Sequence, residues 1–181
     1  MKSKQNRLLG AVVLSLAICA GVAPRAIPAR AAALPGVSMK LDQVNTAGWD
    51  KAWTNLVNDA EQSFTPSLPR LLAVEVELVV GNPGPPDDDL TLTVIDTKGQ
   101  TLASVTQAIS ISDCDHAMFM IPKDGMDVIP GRSYRIKLTG GTLFGWKYIV
   151  GGYEKGAATF NGRPLLPKAR STFLFRTFGA E

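Results

Sequence analysis

The residues whose types could do chemistry are few. One group of them is Asp113-Cys114-Asp115-His116, which contains the only histidine of the chain. A Ser-His-Asp arrangement would have to use His116, and the sequence has no G-x-S-x-G motif. A zinc site needs several His or Cys ligands, which His116 and Cys114 alone do not supply. We interpret this group as a polar loop with an idle thiol, and a metal site stays open as the alternative.

A second group is Asp87-Asp88-Asp89, which follows a proline-rich loop. Three adjacent carboxylates repel one another, and a Ca²⁺ ion could offset that repulsion with oxygen ligands from the loop. The D-x-D-x-D-G spacing of a calcium-binding loop does not occur here. We interpret the three residues as a solvated turn that caps the next strand. A structural Ca²⁺ held by Asp87, Asp88 and Asp89 stays open as the alternative.

Glu75 and Glu77 are the pair of carboxylates to consider for glycoside hydrolysis. Residues two apart on a strand share one face and lie roughly 7 Å apart, a spacing compatible with an acid and base pair. Nothing in the sequence raises the pKa of one above that of the other. We predict a solvated strand face, and a small carboxylate-based hydrolase is the least favoured function.

Aromatic residues in a glycine-rich region near the C-terminus are the best binding candidates. Sugars stack on aromatic rings while amide and charged side chains bind their hydroxyl groups. Trp146 and Tyr148 are two residues apart and share a sheet face, so they form core, a ligand platform or a protein interface, and core is favoured. The candidate ligand-binding residues are Trp146, Tyr148, Tyr153 and Asn161.

Short strands must position these residues. Residues 71–80 alternate in polarity, which is typical of a half-buried strand. Further strands are predicted at 90–95, 102–108, 117–121, 133–138, 143–150 and 172–177. No amphipathic helices of 10–15 residues alternate with them, which disfavours a parallel α/β sheet. The sequence therefore predicts an all-β fold, an antiparallel β-sandwich that is jelly-roll-like.

Residues 1–31 have the features of a signal peptide. Lys2, Lys4 and Arg7 precede an apolar run from Leu8 to Ala23, and a small-x-small cleavage pattern ends at Ala31. The run is shorter than the roughly 20 residues that span a bilayer, which disfavours a retained anchor. Lipoprotein processing at Cys19 is the rival hypothesis. We predict a secreted or periplasmic protein that meets the membrane only during export.

The remaining chain divides into two segments. Residues 32–60 are predicted to form an irregular N-terminal arm bearing Trp49 and Trp53, and residues 61–179 the β-sandwich domain. The leader holds five of the 19 basic residues and no acidic one, so 14 basic residues remain against 16 acidic residues. Because this balance is slightly acidic and no basic cluster is visible, nucleic acid is not expected as a partner. Cys114 is the only cysteine after the leader, so no internal disulfide is expected.

The spacing of strands and turns over about residues 60–179 resembles the carbohydrate-binding-module-like (galactose-binding-like) jelly rolls of secreted bacterial proteins. The segments that carry the resemblance are residues 62–66, 72–76, 90–94, 130–136, 145–148, 156–158, 161–162 and 173–177. Such modules are usually non-catalytic, are often attached to hydrolases or surface proteins, and often hold a structural calcium. The sequence predicts no partner domain, which is a departure from that arrangement.

The sequence thus predicts an exported, non-catalytic binding or structural module. Its most plausible ligand is a carbohydrate or a cell-envelope glycan surface. The alternative is a protein–protein interaction module of the cell envelope that uses a sheet edge or the N-terminal arm.

Overall fold

The computed structural model of the chain describes residues 38–46, 48–49, 52–56 and 59–181. The predicted signal peptide, including Cys19, lies outside these residues. Within them, no helix is long and apolar enough to cross a membrane.

Nearly all regular structure in the described residues is β-strand, so the prediction of an all-β fold is confirmed. The one helix among them is a 3₁₀ helix at Ile111–His116. The strands are β1 (Lys40–Asn45), β2 (Ala52–Asn55), β3 (Ala60–Phe64), β4 (Arg70–Val76), β5 (Leu78–Val80), β6 (Asp87–Ile95), β7 (Thr101–Ser110), β8 (Ala117–Met120), β9 (Met126–Asp127), β10 (Tyr134–Thr139), β11 (Phe144–Val150), β12 (Ala158–Phe160), β13 (Arg163–Pro164), β14 (Ser171–Phe173) and β15 (Phe175–Ala180).

These strands form three antiparallel sheets in the described part of the chain. The first sheet has the order β1-β15-β4-β8, and β9 also pairs with β4. The second has the order β13-β12-β3-β10-β6-β7, and the third has the order β14-β11-β2 with β5 also on β11. One apolar core draws side chains from all three sheets. The chain is therefore an antiparallel β-sandwich, as the strand pattern predicts.

Part of the segment predicted as an irregular arm is regular. Strand β1 pairs with β15, and β2 pairs with β11. The buried side chains of β1 are Gln43 and Asn45, which are polar. The Gln43 side-chain oxygen accepts from the Tyr153 hydroxyl, and Asn45 Nδ2 donates to the Phe173 carbonyl. Hydrogen bonds allow these polar side chains to be buried. Because the inward residues of β1 are polar, its sequence lacks the apolar alternation that predicts a strand.

Two of the predicted strands change sheet at a three-way junction. Residues 70–80 are interrupted at Glu77, which separates β4 in the first sheet from β5 in the third. Leu174 likewise separates β14 in the third sheet from β15 in the first.

Three backbone hydrogen bonds close the junction. The Glu77 N–H donates to the Leu174 carbonyl (3.2 Å), the Lys147 N–H to the Glu77 carbonyl (3.1 Å) and the Leu174 N–H to the Lys147 carbonyl (2.9 Å). Every backbone donor and acceptor of the three residues is thereby used, as burial of a bend requires. The paired strands β4 and β15 thus end at one edge of β11, next to Lys147.

Trp146 fills the core beside this junction. Its ring has no exposed surface and stacks on Phe173, with centroids 4.3 Å apart and planes 11° from parallel. Its Nε1 donates to the Leu174 carbonyl (2.9 Å), which therefore accepts two hydrogen bonds. Trp146 is a core residue that also ties the bend in the C-terminal strand to β11.

Trp146→Ala is expected to destabilise the fold by about 3–5 kcal/mol, because it empties a large core volume and removes the indole donor. Urea unfolding monitored by circular dichroism measures this loss. Val150→Ala in the same strand is the control, since that side chain is 58% exposed. It should change stability by no more than about 0.5 kcal/mol. A similarly small loss for Trp146→Ala would contradict the core assignment.

Candidate functional site

Strand alternation, the bend at Glu77 and the 3₁₀ helix together bring six titratable or charged side chains to one outward surface. Lys147 follows the core residue Trp146, Arg176 follows the core residue Phe175, and Glu75 lies between two core valines. Each of these side chains therefore faces away from the core. We call the following six residues the charged cluster: Glu75, Glu77, Asp115, His116, Lys147 and Arg176.

Arg176 is the centre of the charged cluster. Its guanidinium forms an ion pair with Glu75, the residue opposite it on β4, and lies 3.6 Å from the Glu77 carboxylate. The Nδ1 atom of His116 is 3.2 Å from the same Glu75 carboxylate. The side chains of Glu75 and Glu77 are only 11% and 14% exposed. The prediction of a solvated strand face is therefore wrong here, because residues distant in sequence cover both carboxylates.

The Glu77 carboxyl has a raised pKa. Burial raises its pKa above the ordinary value, although the positive charges of Arg176 and Lys147 act in the opposite direction. The net direction means that desolvation at the junction outweighs those charges. Glu77 therefore takes up a proton more readily in the folded chain than in the unfolded chain.

Lys147 is almost fully covered on this surface. Its side chain is 9% exposed, and Nζ lies 2.5 Å from Asp115 Oδ1. The same ammonium lies 4.7 Å from the centre of the Trp49 ring, a cation–π distance. Trp49 is fixed in turn by a hydrogen bond from Nε1 to the Ala52 carbonyl (2.8 Å).

Trp53 lies across the same outward surface, over two glycines. A Cβ atom on Gly81 would come within 2.7 Å of its ring, and one on Gly145 would collide with the ring. Only glycine allows the ring to approach the backbone of β11 and of the segment after β5 so closely. Trp53 is 37% exposed as a residue, as is Trp49. We call Trp49 and Trp53 the tryptophan platform.

The structure separates the four predicted ligand-binding residues. Trp146 is fully buried, so it has no surface on which a sugar could stack. Tyr148 is half-buried and packs edge-on against Phe173 at 6.3 Å. The alternative that places Trp146 and Tyr148 in or against the core agrees with this burial, whereas the ligand-platform alternative does not. The physical reason is that their shared face points inward at β11.

Tyr153 and Asn161 have local structural contacts. The Tyr153 hydroxyl donates to Gln43 Oε1 (2.8 Å) and accepts from the Thr65 N–H (3.1 Å), and burial raises its pKa. Asn161 and Gly162 both have positive φ (51° and 70°) and form the two-residue turn between β12 and β13. Tyr153 also lines an open groove of about 450 Å³ between β1 and the segment after β11. Asn161 does not line that groove.

The three aspartates begin strand β6 instead of forming a turn before it. Alternation points Asp88 to one side of the strand, opposite to Asp87 and Asp89. Asp88 Oδ2 accepts from the Thr142 N–H (2.8 Å) and the Leu143 N–H (3.1 Å). Asp88 thus anchors the loop before β11, and this geometry does not favour the three carboxylates as joint ligands of one Ca²⁺. Among the described residues, no three His, Cys, Asp or Glu side chains are arranged to hold a metal ion.

The group around His116 forms a 3₁₀ helix and not the predicted loop. Ser110 caps it by accepting a hydrogen bond from the Ser112 N–H. The helical turn buries Cys114 and turns Asp115 and His116 toward the charged cluster. Burial and the Asp115 charge raise the pKa of the Cys114 thiol, which keeps it protonated and unreactive. The interpretation of Cys114 as an idle thiol agrees with this environment.

Sequence reasoning did not find the platform or the cluster as one site. Trp49 and Trp53 stand out in the sequence as two tryptophans in an otherwise irregular arm. A further signal is the Gly145-x-Lys147 spacing, because on an outward strand face a glycine leaves room for an aromatic ring. Neither signal reveals that β2 pairs with β11, which brings Trp53 opposite Lys147.

Comparison with protein-family models and with curated protein sequences finds no match.

Glu77→Gln is expected to change how stability depends on pH. The raised pKa means that, as pH rises from 4.5, the unfolded chain loses the Glu77 proton before the folded chain does. The wild type should therefore lose stability relative to Glu77→Gln over this window. Urea unfolding at a series of pH values between 3 and 8 would measure the difference.

Asp96→Asn is the control of opposite sign. Hydrogen bonds from the backbone N–H groups of Gln100 and Lys98 lower the pKa of Asp96. The wild type should therefore lose stability relative to this variant as pH falls below 3.8. Parallel pH curves for the wild type and Glu77→Gln would contradict the assigned environment of Glu77.

Proposed function

We propose that the chain is an exported, non-catalytic binding module that recognises carbohydrate or a cell-envelope glycan through the tryptophan platform. The observation that carries this proposal is the pair of tryptophans, each 37% exposed as a residue, on the outward surface beside the charged cluster. Large aromatic rings are usually buried or partnered, and an apolar ring face left in water is a feature of binding surfaces.

The way the platform is held suits sugar recognition. Trp53 lies against glycine backbone and Trp49 against the Lys147 ammonium, so both rings are positioned before a ligand arrives. Such preorganisation reduces the conformational entropy lost on binding. The apolar face of a sugar ring can stack on the indoles while the exposed side chains of Asp115 and His116 bind hydroxyls.

The charge of the neighbouring groups favours a neutral ligand. Three carboxylates (Glu75, Glu77 and Asp115) stand against two fixed cations (Lys147 and Arg176), with His116 as a third cation when protonated. Because these charges nearly balance, neither a polyanion nor a polycation gains much from this surface. A neutral glycan is therefore the ligand class that we favour.

The same contacts support a non-catalytic role over a hydrolase. Arg176 contacts both Glu75 and Glu77, and the two side chains are only 11% and 14% exposed, so little of either carboxylate is open to a substrate. Burial raises the pKa of Glu77, a property that a general acid also has, and the hydrolase stays the least favoured alternative because this side chain is only 14% exposed. The resemblance to galactose-binding-like modules, which are usually non-catalytic, agrees with this choice.

The test is a glycan array with the purified protein, with and without Ca²⁺, followed by calorimetry on any ligand found. Trp53→Ala and Trp49→Ala should each weaken binding roughly two- to tenfold, as expected for one stacked ring. Trp53→Phe should retain part of the affinity because it retains a ring. Ile129→Ala is the control, since that side chain is 57% exposed and lies outside the platform.

Circular dichroism of every variant checks that the fold is intact. Glycan binding that is unchanged in both Trp53→Ala and Trp49→Ala would overturn the platform as the site. The absence of glycan binding by the wild type in both Ca²⁺ conditions would overturn the carbohydrate proposal.

A protein-interaction module is the second candidate, and a different surface favours it. On the outer face of the first sheet, the strand register places Leu41 beside Phe178, Phe178 beside Ala73, and Ala73 beside Met120. Leu41 is 55% exposed and Met120 is 38% exposed. Ala73 in the middle of this apolar row is fully buried, so its exposed parts are Leu41 and Phe178 on one side and Met120 on the other. Exposed apolar side chains grouped in this way occur on surfaces that another protein covers.

A further inference from the structure

We infer that the chain self-associates through strand β7, which pairs antiparallel with β7 of a second copy and joins the two second sheets into one. Strand β7 is the last strand of that sheet and pairs with β6 along one side. No other described strand pairs with its other side. An edge of this kind presents a row of backbone donors and acceptors that an added strand can use.

Among the edge strands that the structure describes, β7 is the longest, and its register irregularity lies at its start, where Leu102 is extra opposite the Val94–Ile95 step of β6. Edge strands are commonly short, charged, interrupted by proline or bulged. Strand β1 contains Lys40 and Asp42 and a register irregularity, and β13 has only two residues, Arg163 and Pro164. Strands β2 and β8 have four residues each. By contrast, β7 has ten residues, TLASVTQAIS, with no charge, proline or glycine.

The side chains of β7 suit pairing with an identical strand. Ala103 and Val105 pack against the core on one face, and Ser104 and Thr106 face outward. The outward hydroxyls already form cross-strand pairs, Thr91 with Thr106 at 2.7 Å and Thr93 with Ser104 at 3.2 Å. A two-fold axis perpendicular to the sheet at Val105 would place Ser104 of each copy opposite Thr106 of the other. The hydroxyl ladder would continue across the interface, and on the inner face Val105 would meet Val105 while Ala103 would meet Gln107, without any like-charge contact.

The segments next to β7 favour a second copy over an unrelated strand. Lys98 is exposed in the turn before β7, and Asp113 is exposed in the 3₁₀ helix after it. Antiparallel self-pairing brings the start of one strand toward the end of the other. Opposite charges would therefore approach one another at both ends of the interface.

A single added strand ladder buries less surface than a stable dimer interface, so the dimer should be weak and concentration-dependent. Sedimentation equilibrium of the full chain, from about 1 μM to about 1 mM, measures its dissociation constant. Hydrogen exchange at the two ends of this range locates the interface. Protection should increase with concentration at the amides of residues 101–110 and not at those of β1.

Thr106→Lys would place two like charges near the two-fold axis, and we expect the dissociation constant to rise at least tenfold. Thr139→Lys is the matched control, because Thr139 lies in β10 on the same sheet but two strands from the edge. Lys98→Glu and Asp113→Lys should each weaken the dimer, and the double variant should recover part of the loss.

A monomer at every concentration would overturn the inference. The free edge of β7 would then be available only to a strand of a different protein. A dimer that Thr106→Lys leaves unchanged would also overturn it, and would point to another surface such as the apolar row of the first sheet. Because these experiments include no glycan, they can fail independently of the carbohydrate proposal.

Discussion

The ring of backbone hydrogen bonds among Glu77, Lys147 and Leu174 is the constraint on which the rest of the structure depends. A strand that leaves one sheet for another exposes donors and acceptors at the bend, and burying them unpaired would cost about 1–3 kcal/mol each. Here each of the three strands satisfies the groups of another. Two long strands can therefore change direction inside the sandwich without losing their hydrogen bonds.

The junction also sorts side chains between the core and the outward surface. Because alternate residues of a strand face opposite ways, β11 sends Trp146 inward and Lys147 outward at the same point. Trp146 adds a second bond to the Leu174 carbonyl from within. On the outward side of the junction, Lys147 and Glu77 belong to the charged cluster. The burial of ionic groups is expensive, and this cluster offsets the cost by giving each buried carboxylate a cationic partner.

Sequence reasoning could find the class of fold because burial on one face of a strand produces an alternation that is visible locally. The hairpin of β6 and β7 is an example, because strands are predicted at 90–95 and 102–108 and are found at Asp87–Ile95 and Thr101–Ser110. The change of sheet at Glu77 could not be predicted, since residues 71–80 alternate without interruption in the sequence. Only contacts with β11 and β15, which are distant in the chain, decide where that strand divides.

The candidate site could not be predicted from the sequence, because it too depends on contacts between residues that are distant in the chain. The sequence groups Trp146 with Tyr148 by spacing, but spacing does not say which face of β11 is buried. The sequence pattern predicts that Glu75 is solvent-exposed, but Arg176, which is 101 residues later in the chain, pairs with it. Strand β1 is hidden because its inward residues are polar and find partners in other strands. Each of these features depends on long-range pairing, which a local pattern does not contain.

Native-state hydrogen exchange at the amides of Glu77, Lys147 and Leu174 tests the central role of the junction most directly. If the junction holds the sandwich together, these three amides should exchange only through global unfolding, with the same free energy as the amides of Val74 and Ile136 in the core. Exchange through a local opening, at a free energy well below that of the core amides, would contradict the account. The strands would then be held by their separate sheets and not by the bend that joins them.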